Sequence, residues 1–183
     1  MNGLADIRDL RVLVVGGRAT GVQILRTALG IAGLRHIIVI ADSKRAIETL
    51  RLQRFSAIFC DVSADPFDGM PFPLAARRAC GMLNPMVPVF VVCAAAHRRS
   101  VEQARDLGVT DVLTPPISAA AIADKLWAAV NAPRPFVIAP SFVGPDRRSG
   151  RNPPYRGRDR RNRARPRART ARPDPAPGGG TPA

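Results

Sequence analysis

The chain has 183 residues, one ordinary domain with a remainder, and its 46% hydrophobic content is enough for a buried core. Aromatic residues make up only 5%, so aliphatic packing must carry that core. The net charge of +14 is uneven: residues 131–183 hold thirteen Arg against Asp146, Asp159 and Asp174, while the first 130 residues carry a net of +4. The basicity therefore belongs to the tail and not to the body. An odd set of cysteines (Cys60, Cys80 and Cys93), two of them inside apolar runs, argues against a disulfide framework and for a reducing compartment. The opening "MNGLADIRDL" lacks the apolar stretch of a secretory signal, and no apolar run approaches the ~18 residues of a membrane span. The expectation is a soluble, cytoplasmic protein.

From Arg11 to about Asn131 the pattern alternates. "RVLVVG" (11–16), "HIIVIA" (36–41), "FSAIFCD" (55–61), "VPVFVVCA" (87–94) and "TDVLTP" (110–115) are short and nearly continuous in apolar residues. Such runs predict strands covered on both faces, as in a parallel sheet. Between them lie amphipathic stretches. Val22, Leu25, Leu29 and Ala32 recur at helical steps, and Asp42 or Ser43 caps a helix that buries Ala46, Ile47 and Leu50. Pro71 and Pro73 restrict the start of a weaker third helix, placed near 74–82. A fourth ends at Gly108, and a fifth starts at Ser118 and buries Ile122, Leu126 and Val130. Five strand–helix units with right-handed crossovers make a doubly wound α/β sandwich. Its chemistry belongs at the carboxyl ends of the strands, here Gly16–Gly17, Asp61, Cys93–Ala94 and Thr114–Pro115.

The glycine turn in "RVLVVGGRATG" invites a phosphate-binding reading. The dinucleotide fingerprint G-x-G-x-x-G fails because Arg18 stands where its second glycine is needed. The phosphate loop G-x-x-x-x-G-K-[ST] fails because Gly21 is followed by Val22. A turn of small residues entering a helix is the simpler reading.

The strand ends carry a more specific pattern. "FSAIFCDVSADPFDGM" at the third strand, "ARDLGVTDVL" and "GVTDVLTPPIS" at the fifth resemble the bacterial response-regulator (CheY-like) receiver domain over roughly residues 10–131. The resemblance implies a five-stranded parallel sheet of flavodoxin-like order 2-1-3-4-5. It implies signalling in the two-component phosphorelay class; with no catalytic constellation evident, the expectation is a single receiver domain that is not an enzyme and has no output domain. In that family an aspartate at the third strand end, here Asp61, accepts a phosphoryl group. Mg²⁺ is held by that aspartate, by an acidic pair after the first strand and by a main-chain carbonyl, here that of Ser63. A hydroxyl and a lysine at the fourth and fifth strand ends complete the site. In this chain the acidic pair is replaced by Gly16 and Gly17, the hydroxyl by Cys93, the lysine by Pro115 and the aromatic switch by Val112. Asp61 and the following Asp68-Gly69 remain, and Asp65 is a substitute ligand to consider. The expectation is a degenerate receiver, with neither magnesium nor another cofactor, that contacts a histidine kinase or another receiver. The family's partner face would include Arg98, Arg99, Arg105, Lys125 and Trp127, with a core position the commoner fate of a lone Trp.

Residues 132–183 change in composition. Eleven prolines fall within 131–183 among few large apolar residues, so a disordered Pro/Arg-rich tail is expected. Arg147 and Arg148 in "GPDRR", and Arg160 and Arg161 in "GRDRR", are candidate contacts to phosphate or another anion. The alternative function is therefore binding of nucleic acid or an anionic surface through the tail, with the body as scaffold. "RPFVIAPSFVGPDRR" resembles an appendix found after some receiver domains, in which Phe136 and Phe142 would dock on the body or on a partner. Cys60, Cys80, Cys93 and His97 fit no zinc spacing, and with His36 and His97 the only histidines no nucleophilic triad is evident.

Overall fold

The computed structural model describes residues 5–16, 19–61, 66, 69–79, 81–93 and 98–146. The strands are β1 (Arg11–Val15), β2 (His36–Ile40), β3 (Ala57–Asp61), β4 (Val89–Val92) and β5 (Asp111–Leu113). They form one parallel sheet in the order β2-β1-β3-β4-β5. Helices α1 (Ala19–Ile31), α2 (Ser43–Leu52), α3 (Phe72–Arg78), α4 (Arg98–Asp106) and α5 (Ala119–Asn131) make the crossovers. Asp42 caps α2 by accepting from Arg45 N, and Ser118 caps α5 by accepting from Ala121 N.

The two-residue period of a strand divides the core. Leu13, Val15, Ile58, Cys60, Val89 and Val91 face one side and pack with Ile47, Leu50, Phe72 and Ala76. Val12, Val14, Phe59, Phe90 and Leu113 face the other and pack with Leu25, Leu29, Ile122 and Leu126. Phe59 and Phe90 stack there with centroids 4.7 Å apart. The expected double coverage fails at β2. As an edge strand it leaves His36 and Val39 exposed. Helix α3 starts earlier than its prolines suggested, with Pro71 as N-cap and Pro73 in the first turn, where a missing N–H costs nothing.

The main departure lies after α5. Composition predicts disorder from residue 132, yet β6 (Phe136–Ala139) and β7 (Phe142–Pro145) form an antiparallel hairpin. The chain divides into a compact unit, Met1–Arg151, and a second unit, Asn152–Ala183, wholly outside the described residues. The hairpin is held by two devices. Gly108, at φ +79°, lies against Gly144, whose added Cβ would stand 2.6 Å from Gly108 Cα. An added Cβ on Gly108 would fall on the carbonyl oxygen of Val143.

The second device is Arg77, 5% exposed, on the inner face of α3. Its Nε donates to the Gly108 carbonyl at 3.0 Å, and one terminal nitrogen donates to the carbonyls of Val87 at 2.6 Å and Pro85 at 3.3 Å. The guanidinium lies 5.2 Å from the ring centroid of Phe136. Burial pulls its pKa down to about 10, so it stays charged at neutral pH.

Gly108→Ala should cost about 2 kcal/mol, because strained backbone and a steric clash coincide. Gly30→Ala, on a helix position with nothing within 4 Å, should gain about 0.5 kcal/mol. Urea melts of the two variants should move in opposite directions. Arg77→Ala should cost about 3 kcal/mol by orphaning buried carbonyls. A midpoint unchanged from the wild type would remove Arg77 from its assigned role.

Candidate functional site

The carboxyl ends of β1, β3, β4 and β5 gather Gly16, Asp61, Cys93 and Pro115 along one edge of the sheet. Gly16 N donates to the Ile40 carbonyl at 3.3 Å, and Cys93 N donates to the Leu113 carbonyl at 2.9 Å. Both continue the ladder one residue past their strands. Pro115 follows β5 and joins Pro116 through a cis peptide bond. Gly17, Ser63, Asp65, Asp68, Cys80, His97 and the side chain of Arg98 lie outside the described residues, as do Arg147, Arg148, Arg160 and Arg161.

Asp61 is half-buried and turned toward the first turn of α1. A Cβ added to Gly21 would stand 3.3 Å from its Oδ2. One added to Gly16 would stand 3.1 Å from both the Asp61 Cβ and a Val22 methyl. The two glycines therefore let the end of β1 and the first turn of α1 approach the aspartate closely, and the amino end of a helix favours a carboxylate there. The cleft is small. It is lined by Val14, Val15, Gly21, Val22, Leu25, Asp61 and Val92 and encloses about 10 Å³. That is roughly the space of one water. Mg²⁺ demands near-octahedral oxygen ligands and retains several waters. Asp61 is the one carboxylate among the described residues lining the cleft, so those residues do not fit a magnesium ion.

Cys60, one residue before Asp61, points into the core and donates weakly to the Phe90 carbonyl at 3.5 Å. Burial first, then the Asp61 charge, raises its pKa from 9.0 to about 12, with Arg77 opposing. It is a packing residue, not a reactive thiol. At the far side of the sheet Lys125 pairs with Asp111, and Arg99 and Arg105 are exposed. Trp127 is 46% exposed, which corrects the core position expected for it.

Comparison with solved structures decides the architecture. The receiver domain of sensor histidine kinase PA1611 from Pseudomonas aeruginosa PAO1, solved with magnesium in its active site cleft, matches with a TM-score of 0.55 at 21% identity. The match covers 66% of this chain and 96% of that one. Chemotaxis response regulator CheY4 of Vibrio cholerae matches with a TM-score of 0.54 at 21% identity, over 64% and 95% of the two chains. This chain has the receiver-domain fold. A response regulator from Chloroflexus aurantiacus shares it, with a TM-score of 0.57 at 20% identity over 65% and 98% of the chains. In sequence, the transcriptional regulatory protein ZraR of Escherichia coli (strain K12) is 28% identical over 141 residues, 73% of this chain. The chain spans about a third of the length of that curated relative, 31% of it being matched. No family model matches the chain. Among the described residues no helix of the receiver fold is long and apolar enough to cross a membrane.

Native protein at pH 8 should leave Cys60 unlabelled by iodoacetamide, with labelling appearing on unfolding; peptide mapping separates it from Cys80 and Cys93. Labelling of native Cys60 at the rate of a free thiol would contradict its burial. The folded state keeps the thiol neutral after the unfolded chain ionises it. Stability from this group is therefore intact below pH 9.0 and is lost as pH rises toward about 12.

Proposed function

We propose that the chain is a receiver-type signalling protein of the two-component class that acts through protein–protein contact, with its phosphoryl site degenerate. A histidine kinase or another receiver is the partner class. The supporting observation is the 10 Å³ cleft in which Asp61 is the one carboxylate among the described lining residues. Phosphoryl transfer is catalysed almost wholly by positioning and charge neutralisation. With Gly16 on one side and Pro115 at the lysine position, Asp61 has a helix amino end beside it and no cation in those two places. Its role in this reading is to pack against Gly16 and the first turn of α1. The buried, unbridged Cys60 thiol supports a reducing, cytoplasmic setting.

The decisive experiment is incubation of the full chain with acetyl phosphate and Mg²⁺, followed by intact mass measurement. No mass gain is expected. A stable gain of one phosphoryl group, absent in Asp61→Asn, would overturn the reading.

A second reading rests on where the charge lies: residues 147–183 hold twelve Arg against two Asp. In it, the tail binds nucleic acid or another polyanion by counterion release, with the receiver fold as scaffold. Binding to single-stranded RNA should then weaken steeply between about 50 and 200 mM salt and vanish when 147–183 is removed. Salt-independent binding, or binding that survives the deletion, excludes it.

A further inference from the structure

The receiver fold's usual centre lies at the carboxyl ends of the strands, but a concavity larger than the cleft at Asp61 lies at their amino ends. It encloses about 630 Å³ between the start of β1, the turn before β3, the loop before β4, the end of α5 and the entry to the hairpin. Its floor is apolar, formed by Leu10, Phe55, Pro88 and Phe136. Three arginines stand around it, Arg11, Arg54 and Arg134, against the single acid Asp9. A smaller cavity of about 150 Å³ adjoins it, sharing Met86, Pro88 and Phe136 and reaching the Lys125–Asp111 pair.

We propose that this groove binds an amphipathic anion, a small molecule carrying a carboxylate, sulfonate or phosphate on an apolar body. The volume falls within the range of small-molecule sites, which combine apolar walls with a few placed polar groups. Arg54 and Arg134 are exposed and, among the described residues, neither has an ion-pair partner. Arg11 gives one terminal nitrogen to Gln53 Oε1 at 2.9 Å and lies 5.7 Å from the Phe55 ring centroid. That leaves further donors on its planar fork, suited to an oxyanion. Asn84 and Ser56 add polar side chains near the same wall. Phe136 belongs to the hairpin and is held under Arg77, so the hairpin completes the floor. The chain's own Arg-rich segment 147–183 has the same charge sign as the rim, so charge complementarity favours a separate anionic occupant.

The test titrates the full chain with 1-anilinonaphthalene-8-sulfonate, an aromatic sulfonate that fluoresces on leaving water. Uncharged N-phenyl-1-naphthylamine serves as its isostere. Saturable binding at one site is expected, with the sulfonate preferred over the isostere. The double variant Arg54→Glu/Arg134→Glu should weaken the sulfonate about tenfold or more and leave the isostere unchanged. Both side chains are exposed, so this variant keeps its fold, which circular dichroism verifies. Amide shifts in the NMR spectrum should appear at Ser56, Asn84 and Phe136. Non-saturating fluorescence, equal affinity in the double variant, or shifts confined to residues 147–183 would each overturn the proposal.

Discussion

A guanidinium removed from water must meet acceptors on nearly every side, and Arg77 imposes that demand on one whole end of the molecule. Its described partners are the carbonyls of Pro85, Val87 and Gly108, which precede β4 and β5, and the ring of Phe136. Each carbonyl would otherwise be a buried acceptor in a loop. The charge therefore fixes the loops that feed two strands of the sheet and the hairpin that follows α5. One terminal nitrogen lacks a partner among the described residues, and burial lowers the pKa only to about 10. The local dipoles thus recover most, but not all, of the lost hydration. The paired glycines 108 and 144 then let the hairpin approach as closely as the charge requires.

The opposite end of the sheet is governed by subtraction. In a parallel sheet the strands end together, so side chains at their carboxyl ends meet whatever the loops do. Asp61 still arrives there, but Gly16 and Gly21 bring backbone rather than carboxylates to meet it. Among the described residues, Gly16, Gly21 and Val22 stand close to Asp61, and the cleft there holds about 10 Å³. Gly16 and Gly21, part of what resembles a phosphate cradle in sequence, act in the structure by admitting the Asp61 side chain between them.

Strand and helix placement was legible because it rests on local period and caps. Continuous apolar runs gave all five strands of the sheet, and Asp42 and Ser118 marked two helix starts. The hairpin was hidden by averaging. Over residues 131–183 proline and arginine dilute the apolar content, yet "FVIA" and "FVGP" are two short apolar runs around a Pro-Ser turn. A shorter window would have shown them. Arg77 was not legible at all. It sits beside Arg78 in "AARRAC", and only packing decides that the first is buried and the second exposed. Trp127 and the outer face of β2 escaped for a related reason. Exposure at an edge or on an outer helix face depends on what the rest of the fold leaves uncovered, which periodicity does not record.

The two ends of the sheet therefore trade roles in the reading proposed here. Binding at the carboxyl ends depends on loops that leave a crevice, and here the described residues around Asp61 leave about 10 Å³. The amino ends are ordinarily roofed by short return loops. In this chain the hairpin adds a wall beyond α5, and Phe136 becomes both a lid over a buried charge and the floor of a basic groove. The demand that buried Arg77 be covered, together with the close approach of Gly108 and Gly144, holds the hairpin in place. Once held, the hairpin adds Phe136 to a concavity of about 630 Å³ whose other walls come from the sandwich and the end of α5. A structural need at one residue thus contributes an aromatic wall to a groove that neither the strand pattern nor the resemblance to receivers indicates.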